Sequence, residues 1–459
     1  MINSSKKICN FAPKYIKLNN IMVLKSISVE NFRSFKKFSM NLAPKVSVLI
    51  GKNGAGKSSI LQSIIYALNF LFSSEESLGD TLIISGNPDL QMESMTMDEF
   101  YRKSFDDNPE SYANIHCEAE YLGKDLKWDI YKRAVSGQVP IPDKYAKAYN
   151  QFVDSYKKEG VLPVLAFFSD SFPHKESDLS DFVKNQIASQ EQVIPNFGYV
   201  HWSKEYACTH MWQYRWVNAI AKDVQLQYKD KFSHDEAGYV TQKMIEFSKP
   251  IHDECSNEYE IETMFFGLKD NIPQMWLRLK SGRDIDFNHL PAGYARIYSI
   301  VIDICYRFWI LNRDITKEPM GVVMIDEIDL HLHPTLAVEV VERLTRLFPK
   351  IQFILTTHSP LIVSNIPTAD GQSKIYRILN GETEPHVLPD IYGIDYNTTL
   401  LDVMDSSVGS EIINYLVETL LRNMRQGNEK LVEKRKAELK KLVSSSRYND
   451  IIKSLEDQI

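Results

Sequence analysis

Gly51-Lys-Asn-Gly-Ala-Gly-Lys57-Ser58 carries the full spacing of a phosphate-binding loop: a glycine at each end, four residues between, then Lys-Ser. Glycines at such positions let backbone N–H groups turn toward an anion. Lys57 can reach the β- and γ-phosphates of a nucleotide, and Ser58 can ligate Mg2+. The candidate nucleotide contacts of this stretch are Asn53, Gly54, Ala55, Gly56, Lys57, Ser58 and Ser59. A helix starting at Ser58 would add its positive end to the anion site. The bland alternative is a chance glycine-rich turn, but a strand before it and a helix after it argue against that.

Val322-Val-Met-Ile-Asp326-Glu327 is an apolar run ending in two carboxylates. Asp326 would hold Mg2+ through water, so the metal candidates are Ser58 and Asp326. Glu327, one residue on, would orient and deprotonate an attacking water. Taken alone the run is equally a solvated strand end; beside a phosphate loop it reads as the other half of a nucleotide site. Thr356-Thr357-His358-Ser359 follows a further apolar run. His358 joins Glu327 as a catalytic candidate, as a contact to the γ-phosphate. A structural loop histidine is the competing reading, and only the order of the motifs raises His358 above it.

These groups need strands and helices to bring them together. Val46 to Ile50 is a short apolar run and predicts a buried strand feeding the glycine loop. After it, Ile60, Leu61, Ile64, Ile65, Leu68 and Leu71 recur at helical spacing. Residues 24–32 alternate as a half-buried strand, and 113–120 with 126–134 predict an antiparallel pair around Gly123-Lys124. A helix is expected at 145–156 and a strand at 161–168. Residues 73–110 read as a loop or short helical insertion, and 173–250 as mainly helical. Strands are expected at 258–266 and 274–279, then an apolar helix at 298–311. Buried strands at 321–325 and 351–355 flank a helix at 335–347. Toward the C-terminal end, Ile412, Leu416, Leu420 and Met424 share a face, Gly427 interrupts, and Leu431, Leu439 and Leu442 resume a stripe. That predicts an antiparallel helical hairpin.

The 459 residues suffice for about three domains at roughly 150 residues each, or one large domain with insertions. Hydrophobic residues at 44% and charged residues at 25% fit an ordinary globular protein. Lys+Arg 53 against Asp+Glu 60 gives −7, which excludes a chain coated in basic charge but not a local basic groove. The five cysteines contain no C-x-x-C pair and are odd in number, against a zinc constellation or a full disulfide framework. A reducing, cytoplasmic location fits them. The apolar runs are shorter than the roughly 20 residues a spanning helix needs, so no membrane is expected.

The order of phosphate loop, long insertion, Asp-Glu strand, Leu330-His-Leu-His333-Pro334 and Thr-Thr-His-Ser-Pro resembles the ABC-type ATPase heads of SMC, recombination-repair and OLD proteins. The resemblance implies an α/β P-loop NTPase, an ABC-type head with a helical insertion and a C-terminal helical hairpin. Its expected parts are an N-terminal extension (1–22), an N-terminal head lobe (23–172), a mainly helical insertion (173–257), a C-terminal lobe (258–390) and the hairpin (391–459). It also implies ATP and Mg2+ as cofactors, with the nucleotide sandwiched between two heads. Leu290-Pro-Ala-Gly-Tyr294 takes the place of the signature loop that faces the other head's phosphate loop. The family has Ser where Pro291 stands; proline supplies neither hydroxyl nor N–H. Gly293 N–H remains as a nucleotide contact, and the implied hydrolysis is slow or partner-dependent. Asp329 to His333 would cross the dimer interface, with His331 and His333 as metal ligands or as interface packing. Arg33, in Asn31-Phe-Arg-Ser, resembles the basic residue such heads place near nucleotide; a surface arginine is the competing reading. Gln138 and the Asp170 loop are the only Q-loop candidates.

A narrower resemblance lies in Tyr392-Gly-Ile-Asp395-Tyr-Asn397-Thr-Thr-Leu400-Leu401 and the hairpin after it. They are similar to the tail of the PtuA ATPases of Septu anti-phage systems, whose relatives accompany some retrons. An ordinary oligomerisation hairpin is compatible with this. The resemblance implies head-to-head dimers that assemble further and a separate PtuB-type HNH nuclease as partner. In a retron-linked version a reverse transcriptase with its RNA joins, and DNA is reached through the complex. No TOPRIM-like acidic cluster or H-N-H stretch is visible, so cutting is expected from the partner. The alternative class is a RecF- or SMC-like DNA-binding ATPase in DNA repair, which the acidic balance and the lack of a decisive basic patch weigh against. A membrane transporter subunit is disfavoured by the strand-first start and the Asp-Leu-His-Leu-His-Pro loop.

Overall fold

The computed structural model describes residues 22–72, 95–103, 108–134, 141–169, 195–203, 209–227, 235–251, 257–269, 272–313, 316–404 and 411–456. Strands β1 (Met22–Phe32) and β2 (Phe35–Asn41) pair antiparallel, and β3 (Val46–Ile50) leads through the glycine loop into α1 (Lys57–Leu68). β4 (Tyr112–Tyr121) and β5 (Lys124–Arg133) form the anticipated hairpin. Its two turn residues, Leu122 and Gly123, have φ of 49° and 76°, the double left-handed geometry whose twist matches the flanking strands. The four strands make one sheet in the order β2-β1-β4-β5. β2 escapes sequence reading because Lys36 and Lys37 sit side by side and break the alternation; both are exposed.

A second sheet carries the site. It contains β3, β6 (Val164–Phe168), β10 (Met320–Ile325), β11 (Lys350–Thr356), β12 (Ser373–Arg377) and the short β13 (His386–Val387). The order is β13-β12-β3-β11-β10-β6, parallel throughout except for β13. β3 and β10 are buried at every position, as strands covered on both faces must be. A third, antiparallel sheet joins β7 (Ile261–Lys269), β8 (Ile272–Leu279) and β9 (Asp284–Asp286). Among the described residues the longer helices that accompany these sheets are α1, α2 (Ala146–Glu159), α3 (Thr209–Gln227), α4 (Asp235–Ser248), α5 (Ala292–Asn312) and α6 (Pro334–Leu347). α5 is apolar nearly all round and buried along most of its length, the mark of a helix inside a core.

Gln352 on β11 joins the first two sheets. Its side chain is 1% exposed, accepts from Leu24 N at 2.8 Å and donates to Leu24 O at 2.9 Å and Ala43 O at 2.8 Å. A Gln352→Leu variant strands these buried backbone groups. Each unsatisfied group costs about 1–3 kcal/mol, so a loss of about 3 kcal/mol is expected in urea unfolding, with the m-value unchanged.

The chain divides into two compact units between Tyr392 and Gly393. The second contains α7 (Glu411–Arg425), α8 (Glu429–Leu442) and α9 (Ser445–Glu456). The expected hairpin is α7 and α8, and α9 adds a third wall. Leu416, Leu420, Leu439 and Leu455 form the core, with Ile451, Ile452 and Tyr448 of α9 packed against it. Ile412 and Leu442, assigned by spacing to the apolar stripes, are 64% and 53% exposed.

Candidate nucleotide site

In an open parallel sheet, ligands collect at the carboxyl ends of the strands. Here the glycine loop follows β3, Asp326-Glu327 follow β10, and Thr357-His358 follow β11, which lies between those two strands. The loop demands its glycines. Gly56 caps α1 with φ 100°, and a Cβ there would lie 2.3 Å from the Phe35 ring. At Gly51, φ 150°, a Cβ would lie 2.5 Å from Ile378 O. A Gly56→Ala variant therefore meets both a left-handed backbone and a clash. It is expected to lose about tenfold or more in nucleotide affinity, read by titration with a fluorescent ATP analogue.

Lys57 is buried, and its Nζ donates to Gly51 O at 2.9 Å and Lys52 O at 3.4 Å. Desolvation pushes its pKa below the usual lysine value, while the carboxylates of Asp326, Glu327 and Asp329 pull it back up. An ammonium curled inside a loop of turned backbone fits a polyphosphate. Beside it, Ser58 Oγ donates to Asp326 Oδ2 at 2.9 Å. A hydroxyl and a carboxylate oxygen brought together are hard donors of the kind Mg2+ takes. Asp326 N donates to Phe168 O at 2.8 Å, which ties the end of β10 to β6.

The second and third motifs interlock. Thr356 Oγ1 donates to Asp326 Oδ1 and accepts from Glu327 N, the latter at 2.7 Å. Ile328 N donates to Thr356 O at 3.0 Å. Asp329 Oδ1 accepts from Thr357 Oγ1 at 2.5 Å and His358 N at 3.3 Å. Glu327 and His358 are thus held on one framework, both half-buried. Glu327 has φ 49°, a strained value for a residue with a side chain. Behind it Arg296 of α5 donates to the backbone carbonyls of Asp326 and Glu327.

Other sequence candidates fall around this centre. Arg33 lies in the β1–β2 turn, whose Ser34 and Phe35 abut Gly56. Its guanidinium is bound to Glu99, with Nη2 to Oε1 at 2.9 Å, and its backbone N donates to Glu99 O at 2.6 Å. Glu99 also accepts from Tyr66 OH at 2.6 Å and Thr96 N at 2.9 Å. Gly293 is the second residue of α5, which Pro291 caps; a Cβ on it would lie 2.4 Å from His331 O, so helix start and Asp329–His333 loop are packed together. His331 is exposed with φ 63°, and His333 caps α6 by accepting from Thr335 N at 3.4 Å. Among the described residues no three His, Cys, Asp or Glu side chains group as a metal site. Gln138 and Asp170 lie outside the described residues. Sequence reading missed Arg296, Glu99 and the Thr356 hydroxyl. Arg296 had a signal: it is a charge within an apolar helix, which must find buried acceptors.

A family model described as an AAA ATPase domain matches residues 22–363. The chain belongs to that family. The match takes in the glycine loop, Asp326, Glu327 and His358 of this AAA ATPase. The retron Vc95 probable ATPase of Vibrio cholerae serotype O1 biovar El Tor is 24% identical over 386 residues, covering 76% of this chain and 73% of that protein. Septu protein PtuA of Bacillus mycoides (strain KBAB4) is 24% identical over 371 residues, covering 79% of this chain and 42% of its own length. Relatives of both kinds anticipated from the tail motif are therefore found. An SMC head domain solved from Pyrococcus furiosus, with its coiled coil and the C-terminal domain of ScpA, aligns with TM-score 0.44 and 10% identity over 80% of this chain and 96% of its own. The P-loop α/β head expected from the motifs is the fold found. No described helix is long and apolar enough to cross a membrane.

Proposed function

We propose that this AAA ATPase binds ATP with Mg2+, hydrolyses it slowly, and regulates a separate HNH nuclease within an anti-phage defence complex. The Ser58–Asp326 hydrogen bond carries the nucleotide half of this reading, because it joins two motifs far apart in sequence at one strand edge. The loop 51–56 and Lys57 hold the phosphates. Ser58 and Asp326 would hold Mg2+, which when bound neutralises charge on the phosphates. Glu327 orients the attacking water and takes its proton, and His358 contacts the γ-phosphate. Asn53, Gly54, Ala55 and Ser59 line the phosphate side, with Arg33 at its edge and Gly293 facing the nucleotide of a second copy. Pro291 brings no hydroxyl to that nucleotide, which supports slow turnover.

The defence half is supported by the retron and Septu names of the aligned relatives. In this reading nucleotide state sets the spacing of two heads and so licenses or blocks the nuclease, and α7–α9 make the higher assembly. The test is affinity purification of the chain from its native locus. A small HNH protein at fixed stoichiometry is expected; a reverse transcriptase with its RNA would mark the retron-linked form. A chain that elutes alone and binds DNA tightly, in a salt-dependent way, would replace this reading with one of DNA repair.

A further inference from the structure

We propose that Arg296 is a positioning residue: it fixes the peptide of Glu327 and couples the start of α5 to the carboxylate that works on water. The proposal rests on the assignment of Glu327 above. Arg296 is 1% exposed. A guanidinium stays charged, so burying it requires oriented acceptors. Nη1 donates to Glu327 O at 2.7 Å and Ile328 O at 3.3 Å; Nη2 donates to Asp326 O at 2.8 Å and Ser169 O at 3.4 Å. These carbonyls belong to the segments that follow two adjacent strands, β6 and β10.

What they share is the turn that aims Glu327. That turn places Glu327 at φ 49°. Such backbone strain costs about 1–3 kcal/mol and persists only where surrounding groups over-determine it. Two sets of bonds do so. From β11, Thr356 Oγ1 takes the Glu327 N–H and Thr356 O takes the Ile328 N–H. From α5, Arg296 takes the carbonyls of the same residues. The peptide of Glu327 is thus held on its N–H by one element and on its C=O by another.

Arg296 also lies one helical turn beyond Gly293, whose backbone is in contact with His331. α5 therefore grips both ends of the segment 326–333. A displacement of its first turn, where the Leu290–Tyr294 loop would meet a second copy, is transmitted to Glu327 through the guanidinium. Lysine at this position could satisfy one or two carbonyls but lacks the planar fork that spans them.

The experiment compares full-length wild type, Arg296→Met, Arg296→Lys and Glu327→Gln in two measurements, ATP affinity against single-turnover hydrolysis and amide exchange at Glu327 and Ile328. Arg296→Met is expected to hold affinity within about twofold and to lose hydrolysis about tenfold or more, with Arg296→Lys between it and wild type. It is also expected to speed exchange at those two amides roughly tenfold while the β10 amides keep their protection. Where Arg296→Met fails to fold, Arg296→Lys carries the same two expectations at smaller size. Wild-type hydrolysis in the variants, equal losses of affinity and hydrolysis, or unchanged exchange at 327 and 328 overturns the proposal. A wild type that does not hydrolyse ATP, or a Glu327→Gln variant as active as wild type, overturns the role of Glu327 instead. In that event the exchange rates alone decide whether Arg296 fixes this peptide.

Discussion

Lys57→Ala is expected to weaken ATP binding about 100-fold without unfolding the protein. The ammonium donates to the carbonyls of Gly51 and Lys52 inside the loop. Burial depresses its pKa, and the three carboxylates nearby offset part of that. A polyphosphate arriving there replaces neutral carbonyl partners with anionic ones. A hydrogen bond to a charged group contributes about 1.5–3 kcal/mol, and at 1.4 kcal/mol per decade one or two such bonds amount to about 100-fold in affinity. The fold should survive, since the apolar face of α1, with Ile60, Leu61, Ile64 and Ile65, packs without help from Lys57. Equilibrium titration with a fluorescent ATP analogue, alongside thermal unfolding without nucleotide, separates the two effects. Wild-type affinity in the alanine variant would remove the phosphate-loop assignment and everything built on it.

The parts of this site that were legible in the sequence are those whose chemistry is local. The glycine loop needs particular residues at fixed spacing because its backbone must turn within a few positions, so Gly51 to Ser58 could be read directly. β10 and β11 were legible because strands buried on both faces read as short, mainly apolar runs, interrupted in β11 by Gln352. The β4–β5 hairpin announced itself through alternation around Gly123. What stayed hidden depends on distant pairing. Nothing near Glu99 says that it will bind Arg33 and Tyr66. Nothing near Thr356 says that its hydroxyl will bridge Asp326 and the Glu327 amide. α9 was missed for a different reason: its apolar residues, Tyr448, Ile451, Ile452 and Leu455, are few and lie in a short helix that is otherwise polar, so they make no long stripe. The tail spacing likewise placed Ile412 and Leu442 on the apolar stripes although both are exposed, because periodicity identifies a stripe without saying which part of it is covered.

Glu327→Gln is expected to separate binding from turnover. Glutamine keeps the shape and the hydrogen-bonding capacity of the side chain but cannot accept a proton. Its backbone is already fixed by Thr356 and Arg296, so the substitution should leave the turn in place. The hydroxyl–carboxylate pair of Ser58 and Asp326 is untouched, and with it the donors assigned to Mg2+. ATP affinity should therefore stay within about twofold, while hydrolysis falls by about 10²–10⁴-fold, the range that general acid–base groups supply. Phosphate release under single-turnover conditions measures the second quantity. The contrast with Lys57→Ala matters for function, since one variant binds ATP weakly and the other binds it but discharges it slowly. If nucleotide state gates a nuclease, the two must lock the complex in opposite states, and phage challenge of cells carrying each will show which state restrains cutting. A Glu327→Gln enzyme that turns over at the wild-type rate would move the proton-accepting role to another group on the same framework. His358, joined to Asp329 through its backbone N–H, is the next to test.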